Sequence, residues 1–295
     1  MAWWQISVES TAAELEQTED NLLQLGAVAI TLGDAKNEPL YEPLPGDNPI
    51  WQYATVTGLF AQQQPLADLY NALIQRLPEH QIGSVKKSVV DDQDWSRTHL
   101  QHFKPIQCAD KLWIVPSWHQ APDPSAVNIQ LDPGLAFGTG GHATTALCLE
   151  WLGDNNIRGQ SVIDYGCGSG ILAIAAYKLG ASALFAVDID PQALEASREN
   201  AGRNGIDPVL LNISLPEQLN TSAVDLLVAN ILSRPLVALS TKFASLVKPG
   251  GRILLSGILE SQAEDIELAY QPYFELHPIC AREGWIRVSG TRKNG

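Results

Sequence analysis

The sequence predicts an α/β fold, a doubly wound parallel sheet, preceded by a small ferredoxin-like α+β domain. Three observations predict this fold class. Short apolar runs alternate with helical stretches in the second half of the chain. Strand and helix signals in the first 92 residues follow the order βαββαβ, and a polar stretch separates the two regions. We place the domains at residues 1–92 and 126–295, with a linker region at 93–125.

The order of elements in residues 1–92 is that of the split βαβ unit. Strands are predicted at 3–8, 27–32, 51–58 and 83–90, and helices at 11–25 and 65–77. Ser10 or Thr11 is the expected cap of the first helix. A proline-rich loop at 43–49 separates the middle strands. Because this fold serves many functions, it says little about activity.

From residue 161 onward, short runs rich in Val, Ile and Leu alternate with helical stretches. The predicted strands are 161–164, 183–187, 209–213, 224–229 and 252–256, and the predicted helices are 170–179, 191–204 and 235–247. Parallel strands that are covered by helices on both faces have continuous apolar runs of this kind. A further short strand is expected at 111–115, inside the linker region.

The charge balance narrows the class of partner. The 295 residues carry a net charge of −14, and residues 1–92 hold 13 acidic against 4 basic side chains. Such a chain repels nucleic acid phosphates, so we expect a basic protein as partner and no direct nucleic acid binding. Glu14, Glu16, Glu19 and Asp20 lie in one predicted helix, either as a solvated face or as a surface that attracts a basic protein.

Targeting and cysteine patterns indicate a cytoplasmic protein. No apolar run reaches the ~18 to 20 residues that span a membrane, and the N-terminus lacks the pattern of a signal peptide. The four cysteines are scattered without a CxxC pair, which favours a reducing compartment over a zinc site or a disulfide framework. We therefore expect no metal and no membrane contact. The moderate size and the absence of an obvious association surface favour a monomer.

A glycine-rich turn follows the strand at 161–164 and opens a helix. The run reads DYGCGSG, with Gly166, Gly168 and Gly170 at alternate positions. Glycines permit unusual torsions and close approach of a ligand, and open α/β sheets bind ligands at this edge. Asp188 ends the next strand, 22 residues after Gly166, where an acid can hold ribose hydroxyls. The unit predicts a ligand that contains adenosine.

The spacing of the turn separates the candidate ligands. A dinucleotide fingerprint needs Gly or Ala where this chain has Ile171, and no GxxxxGKS or GxxxxGKT run is present for ATP. Asp164 stands just before the turn, and a carboxylate there suits an amino group and a sulfonium better than a pyrophosphate. These features favour S-adenosylmethionine. Asp190, which precedes Pro191, is expected to cap a helix instead of binding the ligand.

A dense run of turn formers, residues 131–145, precedes the sheet and reads LDPGLAFGTGGHATT. This run is either a simple connecting loop or a segment that covers the bound cofactor. We prefer the second interpretation, because ordering so many glycines costs conformational entropy that a mere connector would not justify. The next helix is expected at 144–151, with a threonine hydroxyl at its start. We expect His142 to be a hydrogen-bonding loop residue, not a base.

Asn230 follows the strand at 224–229 and falls on the same edge as the glycine turn. One interpretation is structural, since asparagine is common in turns. The other uses its amide oxygen. A lysine amine, with a pKa near ~10.4, must lose a proton before it can attack a sulfonium methyl group. A carbonyl oxygen can hold the N–H groups and aim the lone pair. No dedicated acid or base is predicted.

Four runs in order, LDPGLAFGTGGHATT, VIDYGCGSGILAIAA, AVDIDPQALEASRENAGRNG and VANILSRPL, resemble the PrmA family. These are class I, S-adenosylmethionine-dependent methyltransferases of ribosomal large-subunit protein eleven. The resemblance implies that Thr145, Gly166 and the loop around Gly168 contact the cofactor, that Asp188 binds its ribose, and that Asn230 lies beside the methyl donor and the incoming amine. It also implies an N-terminal substrate-recognition domain and trimethylation of the N-terminal α-amine and lysine ε-amines of that ribosomal protein.

Three alternatives stay open. Related methyltransferases that act on glutamine have Asn-Pro-Pro-Tyr after the fourth strand, whereas this chain has Asn-Ile-Leu-Ser. A non-catalytic cofactor-binding adaptor is expected to lack Asp188 or Asn230, and both are present. An NAD dehydrogenase needs a small residue in place of Ile171.

Overall fold

The computed structural model describes residues 3–36, 50–62, 65–90, 103–132 and 140–294. The chain divides into two compact units, Met1–Thr98 and His99–Gly295. The proline-rich loop predicted at 43–49, the centre of the glycine-rich run at 133–139 and the first part of the expected linker lie outside the described residues. None of the helices in the described parts is long and apolar enough to cross a membrane.

The first unit is a four-stranded antiparallel sheet packed against helices. Its elements are β1 (Trp3–Thr11), α1 (Leu15–Gln24), β2 (Ala29–Asp34), β3 (Tyr53–Ala61), α2 (Leu66–Ile74), α3 (Glu79–Ile82) and β4 (Lys86–Val90). The strand order β2-β3-β1-β4 confirms the predicted ferredoxin-like arrangement. Alternate residues of β1 and β3 are buried, and they form one core with α1 and α2.

β1 is longer than predicted, which moves the start of α1. Thr11 pairs with Tyr53 in the sheet, so the prediction that Ser10 or Thr11 caps the helix is wrong. Glu14 occupies the N-cap position without a side-chain cap hydrogen bond. The Ser10 hydroxyl is instead buried and lies 3.1 Å from the hydroxyl of Thr18. Pairing with a distant strand outweighs the local capping signal in this segment.

The second unit contains two sheets and five helices of eight or more residues in its described part. The first sheet consists of β5 (Ile106–Ala109), β6 (Leu112–Val115) and β7 (Val127–Gln130). The elements that follow are α4 (Ala143–Asp154), β8 (Ser161–Tyr165), α5 (Ile171–Lys178), β9 (Ala183–Val187), α6 (Pro191–Arg203), β10 (Leu211–Ser214), β11 (Val224–Asn230), α7 (Ser233–Leu246), β12 (Val247–Leu259), α8 (Ala263–Tyr270), β13 (Phe274–Leu276), β14 (Cys280–Arg282) and β15 (Trp285–Arg292).

The large sheet has the order β10-β9-β8-β11-β12-β15-β13, with β14 paired to β15. Strands β8 to β12 are mutually parallel and covered on both faces, which confirms the doubly wound prediction. Successive residues face opposite cores: Val162 packs with α4, α5 and α6, whereas Ile163 packs with α7 and α8. β15 is antiparallel to β12, a feature that sequence analysis missed.

Residues 103–125 were expected to form part of the linker, with one short strand at 111–115; β6 matches that strand, and β5 was not expected. Cys108, Leu112 and Ile114 are buried in the same core as β8 and α5. The small sheet therefore packs within the second unit. The side-chain amide of Asn204 hydrogen-bonds to the free edge of β7, the outer strand of the small sheet. The amide accepts from the N–H of Gln130 at 2.8 Å and donates to the carbonyl of Gln130 at 2.7 Å. The strand predicted at 209–213 begins later, at Leu211.

Candidate active site

The strand order reverses beside β8, and this reversal locates a crevice. From β8 the chain adds β9 and β10 on one side, then returns to place β11 on the other. Ligands of open α/β sheets bind at the carboxyl ends of the strands at such a switch point. Because β8, β9 and β11 are parallel, the residues that follow them, including Gly166 and Asp188, meet the last residue of β11, Asn230, at one edge.

The glycine turn is shaped so that the backbone can approach a ligand. All three of its glycines have positive φ, between 52° and 82°. A Cβ atom on Gly166 would collide with Cγ2 of Ile231, so only glycine fits. The N–H groups of Gly166 and Cys167 both donate to the carbonyl of Val187, at 2.7 and 3.0 Å. The turn is thereby tied to the end of β9.

Asp188 joins the same turn. Its Oδ2 accepts the N–H of Gly168 at 2.9 Å, and its Oδ1 accepts the N–H of Asp190 at 3.0 Å. Each oxygen retains a lone pair that can accept a ribose hydroxyl. Asp190 accepts the N–H of Gln192 and caps α6, as predicted. Ile189 is 80% exposed and offers an apolar surface beside the carboxylate, a feature that sequence analysis missed.

Asp164 is buried beneath the turn. Its Oδ2 accepts the N–H of Ala173 in the first turn of α5 at 2.9 Å, and its Oδ1 has no hydrogen-bond partner among the described residues. Burial raises the pKa of Asp164 from 3.8 to about 7, and the charge of Asp188 adds to the rise. At neutral pH this carboxyl is therefore not a full negative charge, which corrects the expectation from its place before the turn. A ligand ammonium would supply the missing donor.

α6 supports the glycine turn with two buried polar side chains that were missed. Ser197 Oγ donates to the carbonyl of Gly168, and Asn200 Nδ2 donates to the carbonyl of Ser169, both at 2.9 Å. Their i, i+3 spacing puts them on one face of the helix. The sequence contained one signal for this contact, namely two polar residues on the face of the helix that turns toward the sheet.

A residue of α4, the helix that precedes the large sheet, holds the side-chain amide of Asn230 in one orientation. α4 starts one residue earlier than predicted, and its N-cap is His142, which accepts the N–H of Thr144. Thr145 is fully buried, and its Oγ1 accepts from Nδ2 of Asn230 at 3.2 Å. The amide oxygen of Asn230 is buried and has no hydrogen-bond partner among the described residues. A buried acceptor without a donor is costly, so this atom indicates a ligand N–H.

The predicted site residues therefore form two groups at the carboxyl edge. One group is Gly166, Gly168 and Asp188: the N–H of Gly168 donates to the Asp188 carboxylate, and the N–H of Gly166 donates to the carbonyl of the residue before Asp188. The other is Thr145 and Asn230, joined by their side chains. Within the described ranges, no group of three or more His, Cys, Asp or Glu side chains is arranged to hold a metal ion.

Comparison with known proteins gives a consistent result. A family model described as "Ribosomal protein L11 methyltransferase (PrmA)" matches residues 2–293. A protein of that name from Marinobacter nauticus is 48% identical over all of this chain and all of its own length. One from Azotobacter vinelandii is 50% identical over 99% of this chain and all of its own length.

A solved structure shows the same fold. The ribosomal protein L11 methylase from Lactobacillus delbrueckii subsp. bulgaricus is 36% identical, with a TM-score of 0.59 over 65% of this chain and 100% of that one. The α/β fold is thus that of the class I methyltransferases, with the ferredoxin-like unit before it. From its match to the family model over residues 2–293 and from its full-length relatives, this chain belongs to the ribosomal protein L11 methyltransferase (PrmA) family.

Proposed function

We propose that this protein transfers methyl groups from S-adenosylmethionine to the N-terminal α-amine and the lysine ε-amines of ribosomal protein L11. The observation that carries the proposal is the amide oxygen of Asn230. It is buried, fixed by Thr145 and without a donor among the described residues. An amine N–H is the partner that this atom lacks.

The residues beside β8 and β9 fit the cofactor. When bound, S-adenosylmethionine supplies a methyl group activated by a sulfonium. Gly166 and Gly168 leave the backbone open for close approach. Asp188 can accept ribose hydroxyls, and the apolar surface of Ile189 lies next to it. The Oδ1 of Asp164, which has no partner within the described ranges, can accept from the amino group of the methionine end.

Asn230 would then orient the acceptor. An amine whose N–H donates to Oδ1 of Asn230 is held with its lone pair in one direction, and such alignment can account for much of the reduction of a barrier. The amine must be neutral before attack, and its proton can leave to solvent. Among the described side chains at this edge, Asp188 holds the turn and His142 caps α4. No base is assigned among them.

The choice of substrate rests on the family and on charge. Proteins named for methylation of ribosomal protein L11 match this chain over their full length. The ferredoxin-like unit, with its excess of acidic residues, is the candidate recognition unit for a basic protein. Most charged residues of α1 are exposed, including Glu16 and Asp20, which suits electrostatic attraction of such a partner.

The decisive experiment is transfer of labelled methyl groups to purified ribosomal protein L11, with peptide mass spectrometry to locate them. We expect labelled amines with the wild-type chain and a rate about 10²-fold lower for Asn230→Ala, because the amine is no longer aligned. Asn212→Ala, an exposed asparagine on β10, is the matched control and should keep full activity. Absence of label with wild-type protein that binds S-adenosylmethionine would refute the substrate. Label on glutamine would favour the glutamine methyltransferases.

A further inference from the structure

Ile231 follows Asn230 in the chain and connects the two groups of site residues. Its side chain is partly buried and packs against the core that contains α7 and α8. Its Cγ2 atom lies directly against Gly166, because a Cβ atom on that glycine would collide with Cγ2 and would lie 3.6 Å from Cβ of Ile231. Ile231 therefore touches the glycine turn, although it belongs to the segment that carries Asn230.

The main chain of Ile231 is fixed by a second element, β12. Asn230 pairs with Ser256 at the end of the parallel pair β11 and β12, and Gly257 is the next residue of β12. Gly257 has a φ of 85°. A Cβ atom on Gly257 would collide with the carbonyl oxygen of Ile231 and would lie 2.8 Å from its carbonyl carbon and 3.1 Å from its nitrogen. This close packing leaves the main chain of Ile231 no room to move toward β12.

The two groups of site residues depend on Ile231 to different degrees. Hydrogen bonds with Val187, Asp188 and Ser197 also hold the glycine turn. The side-chain amide of Asn230 is held through Thr145 and through its own main chain, which leads directly into Ile231. Loss of the Ile231 side chain should therefore displace the amide of Asn230 relative to the turn more than it disturbs the turn itself.

Methyl transfer is sensitive to such a displacement. Reacting atoms need a separation of about 3–3.5 Å and the correct alignment, and a misplacement of ~1 Å can lower a rate on the order of 10²-fold. The shape of isoleucine suits a fixed spacer between the turn and the amide. Two heavy atoms on Cβ restrict rotation about χ1, so the Cγ2 methyl group keeps one direction.

We propose that Ile231 is a positioning residue, whose Cγ2 methyl group fixes the amide of Asn230 relative to the glycine turn. The inference rests on the proposed amine methylation and adds a requirement for side-chain shape. Valine has the same branch at Cβ, whereas leucine has the volume of isoleucine but lacks this branch. The proposal therefore ranks the activity of Ile231→Val above that of Ile231→Leu, the reverse of the order that conserved volume predicts.

The kinetic test uses the full-length chain with ribosomal protein L11 and S-adenosylmethionine, both at saturating concentration. Ile231→Val should keep kcat within about twofold of the wild type, and Ile231→Leu and Ile231→Ala should lower kcat roughly tenfold. The affinity for S-adenosylmethionine, measured by titration calorimetry without the substrate protein, should change less than about threefold, because other hydrogen bonds hold the turn. Ile106→Ala is the matched control, since Ile106 is a partly buried isoleucine of the same unit on β5. It should lose stability and keep kcat.

Two double-mutant cycles separate positioning from general damage. In the Asn230→Ala background there is no amide to align, so adding Ile231→Ala should lower kcat by less than about twofold more. The second cycle needs neither cofactor nor substrate. In the Ile231→Ala background, Gly166→Ala should lower the free energy of unfolding only as much as Gly159→Ala does, because the colliding atom is gone and the two glycines have similar φ.

A kcat of Ile231→Leu equal to that of the wild type would overturn this inference and leave the proposed function standing. It would also be overturned by a loss in Ile231→Val as large as in Ile231→Leu, by additive effects of Asn230→Ala and Ile231→Ala, or by an undiminished effect of Gly166→Ala beside Ile231→Ala. No methylation by the wild type would instead refute the proposed function, and this inference with it. If Ile231→Ala fails to fold, the comparison of Ile231→Val with Ile231→Leu decides the question.

Discussion

Replacing Asp164 with asparagine should remove a specific dependence of stability on pH. The carboxyl is buried, with a pKa raised to about 7 in the folded chain against 3.8 when unperturbed. Between these values the unfolded chain has released this proton while the folded chain still holds it. The protonated Asp164 carboxyl therefore makes its full contribution to the free energy of unfolding below pH 3.8. This contribution is lost as the pH rises through about 7. At ~1.36 kcal/mol per pKa unit, the loss is on the order of 4 kcal/mol.

Asp164→Asn keeps an oxygen that can accept the N–H of Ala173 and has no charge to desolvate. The difference in unfolding free energy between variant and wild type should therefore grow in favour of the variant from pH 5 to pH 8. This free-energy difference is measured by equilibrium unfolding in urea at each pH. A short pulse of hydrogen exchange, applied at one fixed pH, then reports how many chains still protect the amides of β8 and α5. This probe isolates the second unit from the first.

The comparison is between two chains at the same pH, so the titration of groups that do not interact with Asp164 cancels. A difference that is constant from pH 5 to pH 8 would show that Asp164 is ionised throughout this range, and the reasoning from burial would be wrong. Saturating S-adenosylmethionine should reduce the pH dependence of the wild type, because a ligand ammonium beside Oδ1 favours the ionised carboxyl.

Three further outcomes are expected. Asp188→Ala should weaken binding of S-adenosylmethionine by roughly 10- to 100-fold in titration calorimetry, as for loss of hydrogen bonds to a charged group; unchanged affinity would make the ribose assignment wrong. Gly166→Ala should cost more stability than Gly159→Ala, because both have positive φ (82° and 74°) but only the first Cβ would meet a neighbour; equal losses by urea titration would exclude the steric term. Asn204→Ala should cost about 1–2 kcal/mol and speed hydrogen exchange of the Gln130 amide, since two hydrogen bonds to that backbone are lost; unchanged exchange would contradict it.

Much of the second unit could be predicted from local patterns. The run around Leu227 and the pair Val162 and Ile163 of β8 are apolar at successive positions, because both faces of these strands are buried. The glycine turn was also readable, since its torsions admit glycine alone and the acid that binds it ends the following strand. The same kind of signal identified the Asp190 cap of α6.

Local patterns failed where distant segments compete for the chain. The capping residues predicted for α1 were drawn into β1, because Thr11 pairs with Tyr53 from a strand that begins far along the sequence. Residues 103–125 were assigned to the linker region, which begins with the polar stretch at 91–94, yet their apolar side chains pack in the core beside β8. β15 lies between β12 and β13 in the sheet, and no local sequence pattern predicts this strand order.

The sequence alone determined the two-part α/β organisation, the glycine turn with Asp188, and the presence of Asn230 at a strand end, since each depends on propensities and spacings within one βα unit. Only the tertiary structure decided that Thr145 fixes the Asn230 amide, that burial raises the pKa of Asp164, and that β15 begins at the same edge. Hydrogen bonds between distant residues, desolvation and strand order all depend on which segments pack together, and this information is spread over the whole chain.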